Sequence, residues 1–420
     1  MEMKTYSSHN LRAIPGIEQL GQQRLTEMEL VASVLPLKVN GYVVDELIDW
    51  SDPDDGMFHL TFPQPGMLSE RHREQLRSAS PGDRRKVAAA IQLELNPHPS
   101  GQALNIPRTE AGELEGIQHK YRTTVLFFPS QGQTCHAYCS YCFRWPQFVN
   151  LDGLKFRSSQ VDVLLDYLRA HPEVTDVLFT GGDPMVMRTP VFERYVRPLL
   201  EPEFAHVNIR IGSKSLAYWP HRFVSDPDAD DMLQLFEDVT NAGRVLAFQA
   251  HFSLPVELST SVVHEAVRRI QDTGAIIRTQ APVIRHVNDD AVAWTDMIQR
   301  QIRLNMVPYY MFVERDTGAK AYFEMPLVRV LDIYRDTVMG LSGLAHTLRG
   351  PVMSATPGKV LVEDIVTIDG ERYFCLKLLQ ARDHMAGNRV MFARYDEDAT
   401  WFDELDLVDL APEIRTENVA

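Results

Sequence analysis

From about Thr123 onward, short apolar runs alternate with stretches whose apolar residues recur at helical spacing. The runs are Thr124–Phe128, Asp176–Thr180, Val207–Ile211, Arg244–Gln249, Ala275–Gln280 and Val307–Phe312. Between them lie the amphipathic stretches Ser158–Ala170, Pro190–Leu200, Asp230–Thr240, Ser259–Asp272 and Asp289–Leu304, with a last one over Pro326–Met339. Short runs bounded by turn residues and separated by helix-length segments are the rhythm of a parallel sheet with helical crossovers. Six consecutive units without a reversal predict an α/β fold, an open or partial (β/α)6 barrel. In such folds the loops after the strand C-termini carry the site. Those loops are polar or glycine-rich here. They hold a cysteine-rich segment after run one, Thr180-Gly181-Gly182-Asp183-Pro184 at the end of run two and Gly212-Ser213-Lys214 after run three. His251 follows run four, Gln280 ends run five and Glu314-Arg315-Asp316 follows run six.

The flanks read differently. Residues 1–118 are polar and Pro-studded, with helical periodicity over Gly16–Val34 and Ser69–Leu95 and loop-like stretches at Ser51–Gly56 and Asn96–Gly101. They predict a helical N-terminal region ahead of a barrel over 119–350. A C-terminal segment, 351–420, starts with an irregular stretch at Pro351–Lys359, continues with a strand at Val360–Ile368 and the turn Asp369-Gly370, and ends in an acidic tail. At 420 residues with 45% hydrophobic positions the chain can bury a sizeable core. A net charge of −15 disfavours nonspecific nucleic-acid binding. No uncharged apolar stretch approaches the roughly 18 residues of a membrane span, and the first residues show no targeting pattern. The expectation is a cytoplasmic protein with neither nucleic acid nor membrane as partner.

Three of the four cysteines fall within eight residues, as Cys135-x3-Cys139-x2-Cys142. Structural zinc sites use four Cys or His ligands, and the remaining Cys375 has no Cys or His beside it. Disulfide frameworks need more, and better separated, cysteines. Three thiolates fit a four-iron cluster that keeps one iron free of protein ligand, and an open metal position is where chemistry occurs. Around that loop the residue types leave two readings each. Gly181-Gly182-Asp183 lets backbone approach a ligand beside a carboxylate, or makes a tight turn with Asp183 as helix cap. Tyr141 packs under the loop or offers a flat contact to an aromatic ligand. Arg144 is a surface charge or a fork for carboxylate or phosphate. Lys359 is a surface lysine or a Schiff-base former.

A C-x3-C-x2-C loop with an aromatic residue before its last Cys, followed by Gly-Gly-Asp, resembles the radical S-adenosylmethionine enzymes, and more specifically the lysine 2,3-aminomutase family. The similar stretches run in order from His119-Lys120-Tyr121 through Val177–Asp183, Ile209–Lys214, Pro220-His221-Arg222, His251-Phe252, Arg285–Asp289 and Pro308-Tyr309-Tyr310 to Pro357-Gly358-Lys359. The resemblance implies a [4Fe–4S] cluster on Cys135, Cys139 and Cys142, with S-adenosylmethionine on its open iron. Tyr141, Gly181, Gly182, Asp183, Ser213, His251 and Gln280 would surround that cofactor. It also implies pyridoxal 5′-phosphate as a Schiff base on Lys359, its phosphate near Lys120 and a further partner at Arg122 or Thr124, and a substrate α-carboxylate on Arg144. The reaction implied is a shift of an amino group from carbon 2 to carbon 3 of an α-amino acid, started by a 5′-deoxyadenosyl radical acting on a pyridoxal aldimine. Electrons would come from a flavodoxin or ferredoxin, and the chain would form a homo-oligomer.

Two positions depart from the lysine enzymes. Arg315, with Asp316 adjacent, stands where an acid holds the substrate's ε-ammonium, and a second acid would fall near Ala355. A buried ammonium without an anion is costly, so the substrate is expected to be an α-amino acid other than free lysine. Two other readings remain at this level: a radical enzyme without pyridoxal phosphate (an epimerase, a dehydratase or another rearrangement), and a non-catalytic iron–sulfur protein.

Overall fold

The computed structural model describes residues 3–97, 104–110, 112–149 and 156–408. Its centre is a 12-stranded sheet in which every strand lies beside its neighbour in sequence. The strands are β1 (Ile117–Tyr121), β2 (Thr124–Phe127), β3 (Asp176–Phe179), β4 (Asn208–Ser213), β5 (Leu246–His251), β6 (Ile276–Val283), β7 (Val307–Val313), β8 (Arg349–Ala355), β9 (Gly358–Ile368), β10 (Glu371–Ala381), β11 (Val390–Arg394) and β12 (Leu407–Val408). Strands β2 to β8 pair in parallel, while β1 and β9 to β12 add antiparallel strands at the two ends. The chain is therefore mixed α/β with one large sheet.

Five of the parallel connections carry a substantial helix: α5 (Val161–Ala170), α6 (Thr189–Val196), α7 (Ala229–Asn241), α8 (Ser261–Asp272) and α9 (Ala291–Arg303). A sixth, α10 (Leu327–Met339), joins β7 to β8. Local sequence explains their limits. Thr260 caps α8 by accepting from the Val263 amide, the apolar stripe Val263, Ala266, Val267 and Ile270 is buried, and Gly274 follows with φ +83°. Asp290 caps α9 through the Val292 and Ala293 amides. Burial alternates along β3, β4 and most of β6. Val177, Phe179, Ile209 and Ile211 are fully buried, whereas Asp176, Arg210, Arg278 and Gln280 line a polar face. Across that face Arg210 pairs with Asp176, Nε to Oδ1 at 2.7 Å.

The N-terminal region is helical at α1 (Gly21–Ala32), α2 (Gly56–Thr61), α3 (Glu70–Ser78) and α4 (Arg84–Glu94). A short ribbon pairs Thr5–Ser7 with Lys38–Asn40. The six expected runs and six expected helices all form, with ends shifted by a few residues.

Two stretches differ. Strand β1 spans residue 118, where the helical region was expected to end. The expected irregular stretch at Pro351–Lys359 is instead the end of β8, a tight turn and the start of β9; the hairpin closes at Ala355↔Gly358. Two prolines and the small residues Ser354, Ala355 and Gly358 obscure the alternation there, but Val352 and Met353 are core residues that fix the register. The Asn96–Gly101 loop and the acidic tail reach outside the described residues.

Candidate functional site

The cysteine loop leaves the C-terminal end of β2 and is held by the N-terminal region. Lys38 Nζ donates to the Cys135 carbonyl at 2.6 Å and to Thr134 Oγ1 at 3.2 Å. The Tyr138 amide donates to the Lys38 carbonyl at 2.8 Å, and the Ser140 amide to the Leu60 carbonyl at 2.9 Å. Asn40 Nδ2 reaches the carbonyls of His136 (3.3 Å) and Tyr218 (2.9 Å). Burial pushes all three thiols up, Cys142 to about 12, and each of Cys135's two companions adds to its shift. Cys139 Sγ lies 3.3 Å from the Tyr218 hydroxyl. Among the described residues no three His, Cys, Asp or Glu side chains converge as they would on a single ion. In a cubane, by contrast, each thiolate holds a different iron. His136 turns away, its Nδ1 2.9 Å from Ser215 Oγ.

The Gly-Gly-Asp loop packs onto this segment. A Cβ on Gly182 would lie 2.4 Å from the Thr134 carbonyl oxygen, and one on Gly181, at φ +141°, would strike the Gln133 side chain. The close backbone approach is thus to the cysteine loop itself. Asp183, 3% exposed, behaves as the cap: it accepts from Met185 N (2.9 Å), Lys214 N (2.9 Å), Ser213 Oγ (2.8 Å) and Ser215 Oγ (3.0 Å). It thereby ties the loops after β3 and β4 together, and it leaves Asp183 and Ser213 engaged with each other. His251 and Gln280, at the ends of β5 and β6, meet at 2.7 Å. Burial lowers His251 to about 3, so its ring is neutral and Nε2 can accept from the Gln280 amide. Tyr141 is partly buried beside Cys139, and burial raises its phenol well above the usual range. Lys214 and fully buried Glu257 form an ion pair at 2.6 Å beneath the same rim.

A second set of side chains converges beside the cysteine loop. Among the described residues Lys120, Arg144 and Lys359 make no side-chain hydrogen bond, and Arg315 makes none with its Nη atoms. Arg144, 9% exposed, stacks over Phe128 (4.4 Å) and Phe143 (5.0 Å). Arg315 lies over the rings of Phe143 (5.2 Å) and Trp401 (5.6 Å). Its Nε is buried without a hydrogen-bond partner, with Asp316 Oδ1 at 3.8 Å. Lys359, at the start of β9, sits 4.2 Å above Tyr310. Burial, helped by Arg210, brings its ammonium down to about 7. Lys120 is driven well below its usual range by burial and then by Arg315, Lys359, Arg382 and Arg144, all cations. Of this set Arg315 Nε and Arg382 Nη1 are buried without a partner; each such group costs about 1–3 kcal/mol, and an anion among these cations would offset that cost. Of the two further phosphate partners expected, Arg122 is exposed on the β1–β2 turn and Thr124 donates to Asp176 at 3.1 Å; neither joins the set.

What the sequence hid is the partners that several of these residues take. Lys38 and Asn40 lie about a hundred positions before the loop they hold. Arg382, at the end of β10, donates Nε to the Thr356 carbonyl (2.6 Å) and Nη2 to the Ala355 carbonyl (3.3 Å), bracing the turn before Lys359. Glu314 is 6% exposed with both oxygens unpartnered, and burial pushes its carboxyl well above the usual carboxylate range.

No family model matches the chain. It is 29% identical over 389 residues to an Aquifex aeolicus protein provisionally named L-lysine 2,3-aminomutase, covering 92% of each. It is 26% identical to L-lysine 2,3-aminomutase of Clostridium subterminale, covering 63% of this chain and 58% of that enzyme. It is 24% identical to glutamate 2,3-aminomutase of Clostridioides difficile, covering 52% of this chain and 49% of that one. A radical SAM methyltransferase from Sphaerobacter thermophilus superposes at a TM-score of 0.40 and 16% identity, over 58% of this chain and 71% of that one. The relatives are isomerases of the radical S-adenosylmethionine class. Within that class, the chain is a relative of the lysine 2,3-aminomutases.

Those enzymes use a [4Fe–4S] cluster, S-adenosylmethionine and pyridoxal phosphate. The residues here fit all three: three thiols on one loop, a rim of partly accessible polar groups, and a near-neutral lysine among cations that lack partners. No helix among the described residues is long and apolar enough to cross a membrane.

Proposed function

We propose that the chain is a radical S-adenosylmethionine aminomutase that moves an amino group from carbon 2 to carbon 3 of an α-amino acid other than free lysine. The observation that carries this reading is the clustering of near-neutral Lys359 with Lys120, Arg144 and Arg315, and of Arg144 with the thiols of the cysteine loop. When bound, the cluster and S-adenosylmethionine supply a carbon radical and pyridoxal phosphate supplies electronic stabilisation of the migrating nitrogen.

The chain's own part is positional. Cys135, Cys139 and Cys142 hold the cluster and leave one iron open. Gly181, Gly182 and Asp183 lock the loop, and with Ser213 they would form part of the S-adenosylmethionine site. Tyr141, His251 and Gln280 would hold that cofactor. With Lys359 brought down to about 7, a large share of its nitrogen is neutral near pH 7 and can bond a carbonyl carbon, while Lys120 attracts a phosphate. Arg144 forks onto the α-carboxylate. Tyr309, Tyr310 and Phe143 exclude water from a radical reaction.

In this reading the parallel strands curve as a partial (β/α)6 barrel. The region 1–118 supports it from one side, 119–350 forms it, and 351–420 contributes the pyridoxal lysine. The protein works in the cytoplasm as a homo-oligomer with a flavodoxin or ferredoxin as electron donor. The test is anaerobic incubation of reconstituted enzyme with dithionite, S-adenosylmethionine and a panel of amino acids, reading 5′-deoxyadenosine and β-amino products. The expected result is both products with the native chain and no β-amino product with Lys359→Ala. Absence of 5′-deoxyadenosine with every amino acid would sink the reading.

A further inference from the structure

We infer that the substrate's side chain ends in a carboxylate and that Arg315 is the group that selects it; this rests on the function proposed above. Two guanidinium groups lie against Phe143. Arg144 lies 5.0 Å and Arg315 5.2 Å from the same ring centroid, so their carbons are at most about 10 Å apart. An amino acid anchored by its α-carboxylate on Arg144 extends its side chain past this ring towards Arg315.

The surroundings of Arg315 define what that side chain can be. Its Nη atoms make no hydrogen bond among the described residues, and its Nε is buried with no partner within bonding distance. Asp316 Oδ1 stands 3.8 Å from Nε, longer than a hydrogen bond. Glu314, the other acid beside it, is buried with both oxygens unpartnered and makes no ion pair with Arg315, and burial pushes its carboxyl well above the usual carboxylate range. Arg382 adds a further cation, with Nη1 buried and unpartnered while its other nitrogens brace the Ala355–Thr356 backbone. Lys120 stands in the same cluster.

An ammonium-ended side chain would meet Arg315 and Arg382 with like charge. A neutral amide would leave donors of the guanidinium fork unpaired. A carboxylate of aspartate or glutamate length accepts two parallel N–H bonds from the Nη pair. The rings of Phe143 and Trp401 hold the guanidinium in place, so little ordering is left to do on binding.

Isothermal titration of the anaerobic holoenzyme with glutamate, glutamine and lysine tests this without turnover. Glutamate is expected to bind on the order of tenfold to a hundredfold tighter than glutamine, and lysine weakest of the three. Arg315→Gln should remove that preference while glutamine affinity stays within about twofold; Arg315→Lys should keep part of it. Equal affinity for glutamate and glutamine in the native protein overturns the inference, as does tighter binding of lysine or no binding of glutamate. An Arg315→Gln variant, folded by circular dichroism, that weakens all three ligands alike also overturns it. Selective glutamate binding without any 5′-deoxyadenosine would instead refute the proposed reaction and leave the carboxylate pocket standing.

Discussion

At the scale of single residues, Lys359 and Gly182 make the sharpest claims. Lys359 owes its low basicity mainly to burial, with Arg210 and Arg349 opposing its charge and Asp176 partly restoring it. Below about 7 its nitrogen is protonated and has no free electron pair; above that value it is a nucleophile. Condensation with an aldehyde such as pyridoxal phosphate should therefore speed up as pH rises through about 7 and then level off, whereas an ordinary lysine keeps gaining up to about 10.4. Stopped-flow absorbance at several pH values checks this, with Lys359→Ala as the blank. For Gly182, an added methyl would sit 2.4 Å from the Thr134 carbonyl oxygen and 2.5 Å from its amide nitrogen. Because both are backbone atoms, no rotamer change relieves the clash. We expect Gly182→Ala to cost about 1–3 kcal/mol and to lower iron per chain after reconstitution; unchanged iron content and Tm would refute it. The Gly-Gly-Asp motif was legible as a place of close approach. Which backbone approaches was not, because a glycine pair records missing volume and not the identity of the neighbour. The two readings of Asp183 were likewise open in sequence, and its four donors show that the cap is real.

At the scale of elements, the parallel strands and their helices were legible because each helix carries its own apolar stripe and each strand is bracketed by turn residues. The hairpin of β8 and β9 was not. Its first strand is broken up by Gly350 and Pro351, and its register depends on β7 beside it, a contact some forty residues away in sequence. The link between the Lys38–Asn40 strand and the cysteine loop was equally hidden, since nothing local to either marks the other. That strand makes a specific prediction. Lys38 is the only side chain among the described residues that donates to the Cys135 carbonyl, and a charge-assisted bond of this kind is worth about 1.5–3 kcal/mol. Lys38→Met should keep the secondary structure by circular dichroism but lose cluster iron to a chelator several times faster than the native protein. Lys38→Arg, which can still donate, should recover much of the difference. Equal chelation rates in all three proteins would mean that the tether does not govern the loop.

At the scale of the whole molecule, the site draws on three distant parts of the chain. The N-terminal region clamps the cysteines, the parallel sheet supplies Asp183, His251 and Gln280, and the C-terminal hairpin brings Lys359 and Arg382. Trp401, beyond that hairpin, closes over Arg315. Composition could bound this arrangement but not reveal it, because long-range docking leaves no periodicity in sequence. If the N-terminal region is an integral wall of the site, its opening should expose the cysteine loop. The amides of Tyr138 and Ser140 report this directly, since their acceptors are the carbonyls of Lys38 and Leu60. The amide of Phe179 belongs to a central strand and exchanges only when the sheet itself opens. Amide exchange in increasing guanidinium should then show Tyr138 and Ser140 losing protection together with the amides of residues 38–40, at a lower opening free energy than Phe179. Reconstitution of the cluster should raise the protection of both segments in parallel, because a ligand that needs the ordered loop stabilises whatever orders it. Exchange of Tyr138 and Ser140 at the rate of the sheet, indifferent to residues 38–40, would instead make the N-terminal region a separate appendage and the parallel sheet the sole keeper of the loop.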